Sequence, residues 1–246
     1  MTIDSEQDIA GLYAAGKAVR ATFERMKAAA YAGITTAELD RIGATELDDR
    51  GARSAPQLFY DFPGATCISV NEEAAHGIPG PRRLQTGDLI NIDVSAELDG
   101  YVADMGESFV VGEPNAAQQK ICAAVRNAVS AALRCVRSGA SLNVIGKAVQ
   151  GVADEGGYTI VENLGSHGVG HSIHEEPSYI PRHNPLERRR LNKGLVLTIE
   201  PFLTNGVRWV ERGTDGWTLS VPHGYLVVQH EHTLIVTDDG ALVVTA

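Results

Sequence analysis

Two short stretches decide the fold: GDLINID at Gly87–Asp93 and GLVLTIE at Gly194–Glu200. Each begins with a glycine, continues as an apolar strand and places an acidic residue six positions after the glycine. Similarity at a fixed offset indicates an internal repeat more strongly than similar composition does. Because a carboxylate at the end of an apolar strand is costly to bury, each acid also needs a partner or a bound ion.

The repeat extends to the helices that precede these stretches. Gly33 and Gly139 each end a long helical pattern and are followed by a shorter, capped one. Counted from these two glycines, Asp93 lies 60 residues on and Glu200 lies 61 residues on. We therefore predict a single domain spanning 1–246, built from two pseudo-twofold-related halves at roughly 5–111 and 115–246.

Each half supplies one His-x-x-Pro histidine and two carboxylates, which a pseudo-twofold arrangement would bring together. These residues are His76, Asp93 and Asp104 in the first half and His174, Glu200 and Glu231 in the second. The second histidine belongs to a stretch, Leu164–Pro177, that holds three of the eight histidines. A histidine cluster by itself is weak support for a metal site, and the acids strengthen it.

Hydrophobic periodicity predicts two pairs of helices and a set of antiparallel strands, an α/β (α+β) fold. The predicted helices cover Asp8–Ala30, Thr35–Gly51, Ala116–Val136 and a segment capped by Ser141 that ends near Gly156. The predicted strands cover 66–71, 89–97, 101–111, 159–164, 195–203, 208–211, 225–229 and 232–237.

The Asp99-Gly100 pair predicts a tight hairpin turn. Around that turn, residues whose numbers sum to about 199 face each other, so Asp93 opposes Gly106 and Asp104 is its diagonal neighbour on the same face. Both side chains can then reach one ion. A structural cap or a salt bridge is the ordinary alternative for one such acid, but the neighbouring strands contain no lysine or arginine near it.

Four carboxylates and one imidazole carry four negative charges, which two divalent ions would neutralise. An oxygen-rich set with one nitrogen suits Mn, Fe, Co or Zn in a paired site better than a single structural zinc. Two such ions can bridge a water, lower its pKa and hold a carbonyl oxygen.

Composition excludes several other classes of protein. A net charge of −10 over 246 residues argues against binding to duplex nucleic acid. No window approaches the roughly 18 apolar residues of a membrane span, and no secretory leader is apparent, which predicts a cytoplasmic protein. Cys67, Cys122 and Cys135 suit reduced thiols. No Gly-x-Ser-x-Gly elbow or phosphate-binding glycine loop is present, and Cys67 lacks a cationic neighbour that would activate it as a nucleophile.

Together these motifs make the chain resemble the methionine aminopeptidases of the "pita-bread" fold, over essentially its whole length. The motifs that carry the resemblance are Asn91-Ile-Asp93, Asp104, His167-Gly-Val-Gly, His174-Glu-Glu-Pro177, Thr198-Ile-Glu200-Pro201 and Glu231-His-Thr233. The resemblance implies an antiparallel curved sheet covered by two pairs of helices. The lack of a long N-terminal domain makes the chain look unlike prolidases and creatinases. The lack of a long helical insertion between His174 and Glu231 and of a zinc-finger extension makes it look like the short bacterial type I form.

The resemblance also implies the roles of individual residues. The dinuclear metal ligands would be Asp93, Asp104, His167, Glu200 and Glu231. A bridging water or hydroxide would be the nucleophile and Glu200 its proton acceptor. His174 would stabilise the carbonyl oxygen, and His76 would contact the scissile amide nitrogen.

Five residues are candidates for an apolar pocket that holds the methionine side chain. They are Phe59, Phe62, Cys67, Ile173 and Trp217. For Trp217 a turn anchor is the alternative, and for the two phenylalanines an ordinary core position. The implied substrates are N-termini of nascent polypeptides with a small second residue, near the ribosome, and the implied state is a monomer with no direct nucleic-acid or membrane site.

Two other hypotheses remain open from the sequence. One is a related hydrolase of the same fold that cleaves X-Pro bonds or amidines, which predicts an additional N-terminal domain. The other is an inert member that binds nucleic acid or ribosomes, which predicts the loss of metal ligands.

Overall fold

The structure is a computed structural model that describes residues 1–3 and 5–246. Within those residues, two long helices cover the strands of each half, as the sequence predicts, and the first half also contains one short helix. The helices are α1 (Glu6–Ala29), α2 (Thr36–Asp49), α3 (Ala55–Tyr60), α4 (Ala116–Cys135) and α5 (Asn143–Gly156). The short α3 is absent from the sequence prediction, because six residues are too few to show a helical period.

The described strands pair only in antiparallel fashion. In the first half they are β1 (Arg53–Ser54), β2 (Cys67–Val70), β3 (Glu73–Ala75), β4 (Leu89–Leu98) and β5 (Tyr101–Val110). In the second half they are β6 (Thr159–Ile160), β7 (Val196–Ile199), β8 (Phe202–Thr204), β9 (Glu211–Arg212), β10 (Leu219–Ser220), β11 (Val227–Gln229), β12 (His232–Val236) and β13 (Ala241–Val243).

Local sequence signals explain the first half. The Thr35 hydroxyl accepts from the N–H of Glu38, whose carboxylate accepts from the N–H of Thr35, so the predicted capping box opens α2. Asp99 and Gly100 have φ angles of 51° and 88°, the left-handed conformation of a two-residue hairpin turn. This turn sets the β4–β5 register, and Asp93 faces Gly106 as predicted.

The second half departs from the prediction at the start of one helix and in the middle of one strand. α5 begins at Asn143 with Leu142 as its N-cap, so Ser141 lies one residue before the capping position, although its hydroxyl accepts from the N–H of Asn143 at 3.3 Å. The strand predicted over 195–203 is interrupted at Glu200-Pro201, giving β7 and β8. Proline has no N–H to donate to a ladder, which explains the break.

Two further strand predictions are only partly correct. The strand expected over 159–164 is reduced to β6, and the one expected over 208–211 is instead the two-residue β9. Both segments lack an unbroken period-2 pattern, and their pairing depends on β8 and β10, which are distant in sequence.

Each half has its own apolar core between its helices and strands. Phe23 and Met26 of α1 pack with Ile90 and Ile92 of β4 in the first half. The core of the second half includes Val125 and Val129 of α4, Ile145 of α5, Leu197 of β7 and Leu234 of β12. Each helix pair therefore stabilises the strands of its own half, and those strands carry the acids.

The halves meet where β5 runs beside β11 and β12. The N–H of Asp104 donates to the Thr233 hydroxyl at 2.8 Å, and that hydroxyl donates to the Asp104 carbonyl at 2.8 Å. The N–H of Glu231 donates to the Gly106 carbonyl at 2.8 Å. These bonds across the seam place one acid from each half side by side. None of the helices in the described part of the chain combines the length and apolarity needed to cross a bilayer.

Candidate metal centre

Acids from both halves and one histidine meet at the floor of a cavity. One ligand atom each from Asp104, His167 and Glu231 lie within 4.8 Å of one another, and all three residues are buried. Oε1 of Glu200 lies 3.3 Å from Nε2 of His167, and Asp93 lies beside Asp104 on the same sheet face. The structure thus brings together all five residues predicted as ligands.

Gln229, which the sequence prediction missed, holds three of these acids. Its Nε2 donates to Asp93 Oδ2 at 3.2 Å, Glu200 Oε2 at 3.3 Å and Glu231 Oε2 at 3.0 Å. Its Oε1 accepts from Nδ2 of Asn91 at 2.8 Å, which orients the amide with its donor toward the acids. The available signal was its position two residues before Glu231, after Val227 and Val228, since alternate strand residues share a face.

Among the described residues, His167 is the only basic side chain that pairs with one of these acids. Burial and then the charge of Glu200 raise the pKa of Asp93 to about 7. Burial and the neighbouring acids raise the pKa values of Asp104 and Glu231 well above their ordinary range. Within the described part of the chain, no lysine or arginine forms an ion pair with any of these acids. Such a cluster is costly unless protons or cations neutralise it.

Two buried oxygens mark where a cation fits. Asp104 Oδ1 and Glu231 Oε1 are both shielded from solvent and lack a hydrogen-bond donor. Buried carboxylate oxygens are otherwise paired in folded proteins. The donor set of carboxylates plus one imidazole is the type that binds Mn, Fe, Co or Zn. The residues present therefore fit divalent metal ions.

His167 presents the correct nitrogen for metal binding. Its Nδ1 lies 2.9 Å from the Gly168 carbonyl, which only accepts, so Nδ1 carries a proton and Nε2 is the ring nitrogen that faces the floor. Burial alone would lower the pKa of His167, but the hydrogen bond to Glu200 and its charge raise it. The Ser166 hydroxyl accepts from the N–H of Glu200 at 2.9 Å and so ties the histidine segment to the end of β7.

Two other histidines form the wall above the floor. The His174 ring stacks 4.1 Å from that of His167, and its Nδ1 lies 2.7 Å from the Tyr60 hydroxyl. Burial, then the charges of His167 and His76, lower the pKa of His174 to about 3, so it is neutral at neutral pH. Burial likewise lowers the pKa of His76. His76 has a φ of 55°, a strained backbone conformation of the kind found at functional sites.

The cavity above the acids has a volume of about 480 Å³. Of the predicted pocket residues, Phe62, Cys67, Ile173 and Trp217 line it. Phe59 does not: it packs in the apolar cluster that contains Ile173. Residues that line the cavity without having been predicted are Pro56, Tyr60, Ser95, Ser178 and Arg212.

The apolar part of the wall combines an aromatic pair with a buried thiol. Phe62 and Trp217 are edge to face, with centroids 5.2 Å apart and an interplanar angle of 86°. The N–H of Trp217 also donates to Asp215 Oδ1 at 2.8 Å, so this residue is both a turn anchor and a wall residue. Burial and the charge of Asp93 raise the pKa of the Cys67 thiol, which keeps it protonated and unreactive.

Comparison with known proteins agrees with this geometry. Residues 10–238 match the sequence profile described as Metallopeptidase family M24. The chain is 40% identical over 247 aligned positions to methionine aminopeptidase 2 of Bacillus subtilis, covering 100% of the chain and 99% of the relative. It is 33% identical to methionine aminopeptidase of Escherichia coli K12, covering 100% and 94%.

The structure is similar to that of methionine aminopeptidase from Rickettsia prowazekii, with a TM-score of 0.95, 31% identity and full coverage of both chains. The expected pita-bread fold is therefore confirmed. The match of the profile to most of the chain and the identity to full-length relatives lead to one conclusion: this chain belongs to metallopeptidase family M24.

Proposed function

We propose that this chain is a metal-dependent aminopeptidase that removes N-terminal methionine from nascent proteins and peptides with a small second residue. The observation that carries the proposal is the floor of four carboxylates and His167 beneath a cavity with one apolar and one histidine wall. The relatives named as methionine aminopeptidases match over the whole chain, which supports the same reaction here.

Membership of family M24 implies divalent metal ions. We propose two of them, of Mn, Fe, Co or Zn, because the floor has four carboxylates to neutralise and two buried oxygens without donors. The proposed ligands are Asp93, Asp104, His167, Glu200 and Glu231. When bound, such ions lower the pKa of water and polarise a carbonyl group.

The chain's own residues perform the proton transfers and the positioning. Glu200, at the edge of floor and cavity, accepts the proton that the attacking water loses. Burial and then the charge of Asp104 raise the pKa of Tyr60, so its hydroxyl keeps its proton. The hydroxyl oxygen lies 2.7 Å from Nδ1 of His174, and in the proposed mechanism it donates to that nitrogen, which leaves the ring proton on Nε2. Nε2–H can then donate to the carbonyl oxygen of the scissile bond as charge develops there.

Substrate binding follows from the two walls. The apolar wall of Phe62, Cys67, Ile173 and Trp217 suits a thioether side chain, since sulfur packs well against aromatic rings. The carboxylate floor, once loaded with metal, suits the substrate's free α-amine, which limits cleavage to one residue. His76 lies on the histidine wall, where it can contact the scissile amide nitrogen.

The remaining expectations concern the setting of the reaction. We propose that residues 1–246 form one catalytic domain, because the ligands come from both halves of the repeat. We further propose a cytoplasmic monomer that acts on nascent chains near the ribosome. A net charge of −10 supports contact through the emerging peptide and not through direct nucleic-acid binding.

The test is peptide cleavage by the metal-loaded protein. Met-Ala-Ser should release free methionine, Leu-Ala-Ser should react much more slowly, and chelation should stop both reactions until metal is restored. An Xaa-Pro dipeptide serves as the substrate of the related X-Pro hydrolases. Failure to release methionine in any metal-loaded sample would reject the proposal, and faster cleavage of the Xaa-Pro dipeptide would favour the alternative hydrolase.

A further inference from the structure

Arg212 is an exposed cation that lines the cavity, so it lies at the rim. The sheet order β3-β10-β9 places it there, because Leu219 of β10 pairs with Arg212 on one side and with Ala75 on the other. Ala75 immediately precedes His76, and both His76 and Arg212 line the cavity. The charge of Arg212 contributes to lowering the pKa of His76, as expected for such neighbours.

The guanidinium group is held in place but not neutralised. Its Nη1 donates to the Gly216 carbonyl at 3.1 Å, across the turn that joins β9 to β10. By contrast, Arg53, Arg82 and Arg208 lie 2.7, 3.2 and 3.0 Å from carboxylates. Among residues 1–3 and 5–246, no carboxylate forms an ion pair with Arg212. Its remaining donors are thus free for an external partner.

The acids that are near in sequence are occupied or directed elsewhere. Asp215 accepts from the N–H groups of Trp217 and Thr218 and from the Thr218 hydroxyl at 2.6 Å. Glu211 is the strand neighbour of Arg212, and successive side chains of a strand point to opposite faces. The rim therefore presents a positive group in a protein whose net charge is −10.

The path of the substrate brings its later residues to this rim. With the amine at the acid floor and the methionine side chain on the apolar wall, the scissile bond lies between His76 and His174. The peptide beyond that bond must leave through the open side of the cavity, where the exposed Arg212 is part of the lining. A guanidinium group binds a carboxylate through two parallel hydrogen bonds, which makes it selective for acidic side chains.

We infer that Arg212 is a specificity-determining residue that favours substrates with an acidic side chain at the third or fourth position, shortly after the bond that is cleaved. This inference rests on the proposed function. It adds a preference for substrate residues beyond the methionine and the second position. That preference is set by Arg212, which is neither a proposed metal ligand nor one of the two histidines that contact the scissile bond.

The experiment compares amidated peptides Met-Ala-Xaa-Xaa-Ala in which Xaa is Asp, Asn or Lys. For the metal-loaded wild type, kcat/KM should be about threefold to tenfold higher for the Asp peptide than for the Asn peptide, and lowest for Lys. The Asp to Asn ratio should fall toward one in about 0.5 M salt, because screening weakens exposed pairs. It should also fall toward one in Arg212→Gln and stay intermediate in Arg212→Lys.

Arg41→Gln is the matched control, since Arg41 is an exposed arginine on α2 in a different surface groove. It should keep the wild-type Asp to Asn ratio. Equal kcat/KM for the three wild-type peptides, or an unchanged ratio in Arg212→Gln, would overturn the inference while the cleavage itself upholds the proposed function. Absence of cleavage of all three peptides would overturn the proposed function and this inference with it.

Discussion

The first half of the chain carries its two acids on one unbroken hairpin, whereas the second half carries its ligands on a loop and on interrupted strands. β4 and β5 are ten residues each and fully paired, but β7 has only four residues and ends just before Glu200. His167 and His174 lie outside any strand. Similar sequence motifs have therefore produced a continuous hairpin in the first half and an irregular, accessible segment in the second.

Side chains replace the missing strand ladder in the second half. The N–H of His167 donates to the Thr198 hydroxyl at 3.2 Å, and the N–H of Glu200 donates to the Ser166 hydroxyl at 2.9 Å. Gly168 bridges to Leu197 of β7. These bonds hold the histidine segment against the strand while leaving His174 open to the cavity. Irregular backbone with satisfied hydrogen bonds is how loops position catalytic groups.

The largest effect is expected when one acid is removed from either half. Asp104→Ala and Glu200→Ala should each lower kcat/KM for Met-Ala-Ser by about 10³-fold or more, since each loses a ligand and the latter also the proton acceptor. Steady-state kinetics with saturating metal measures this. His223→Ala, at an exposed histidine paired with Glu72, should behave as wild type. A Glu200→Ala enzyme with a tenth of wild-type activity would contradict both roles given to that residue.

A smaller effect is expected at the residue that links the acids of the two halves. Gln229→Leu removes the donor shared by Asp93, Glu200 and Glu231, and should weaken metal binding by about tenfold to 100-fold. Calorimetric titration of the apoprotein with Mn²⁺ or Co²⁺ measures the affinity. Gln119→Leu, on the exposed face of α4, is the control. Equal affinities in both variants would show that Gln229 only packs between the halves.

The hydrogen bond that orients the accessible wall should contribute less. Tyr60→Phe should lower kcat about threefold to tenfold with little change in KM, because it loses one hydrogen bond to the His174 ring and no substrate contact. Tyr179→Phe, which removes a hydroxyl bonded to the Glu162 carbonyl, is the control. A Tyr60→Phe enzyme that changed only KM would assign the tyrosine to substrate binding instead.

A separate effect concerns the stability of the acid floor without metal. The folded pKa of Asp93 is about 7, above its unfolded value, so the folded apoprotein holds a proton that the unfolded chain loses. Its free energy of unfolding should therefore fall as pH rises from about 4 to about 7, by up to roughly 1.4 kcal/mol per pH unit from this group.

Urea unfolding of the apoprotein at several pH values measures that dependence. Asp93→Asn should show a shallower decline than the wild type, and Asp49→Asn, on the exposed end of α2, should match the wild type. Saturating metal should remove most of the difference, because the metal displaces the proton. An identical pH dependence in Asp93→Asn would mean that Asp93 is ionised in the apoprotein.

Much of this protein could be predicted from short-range patterns in its sequence. The Thr35 capping box, the Asp99-Gly100 turn and the pairing of Asp93 with Gly106 depend on residues close together in the chain, whose periods and turn preferences are encoded locally. The repeat extended this to the second half and indicated the four acids, His76 and His174, whereas the role of His167 was predicted from the family resemblance.

Other features depend on how distant segments dock, and only the tertiary structure decided them. Gln229 meets Glu200 and Asp93 across 29 and 136 residues, and Tyr60 meets His174 across 114 residues, which no local pattern specifies. Phe59 packs in the core whereas Phe62 lines the cavity, because Phe59 lies on α3 and Phe62 follows Asp61, whose left-handed backbone (φ 56°) ends that helix. Arg212 lies at the rim because β9 pairs with β10 and β10 pairs with β3. Strands of two residues show no detectable period in the sequence, so this pairing could not be predicted. Sequence periodicity determines which face a side chain is on, whereas packing between the halves determines what that face meets.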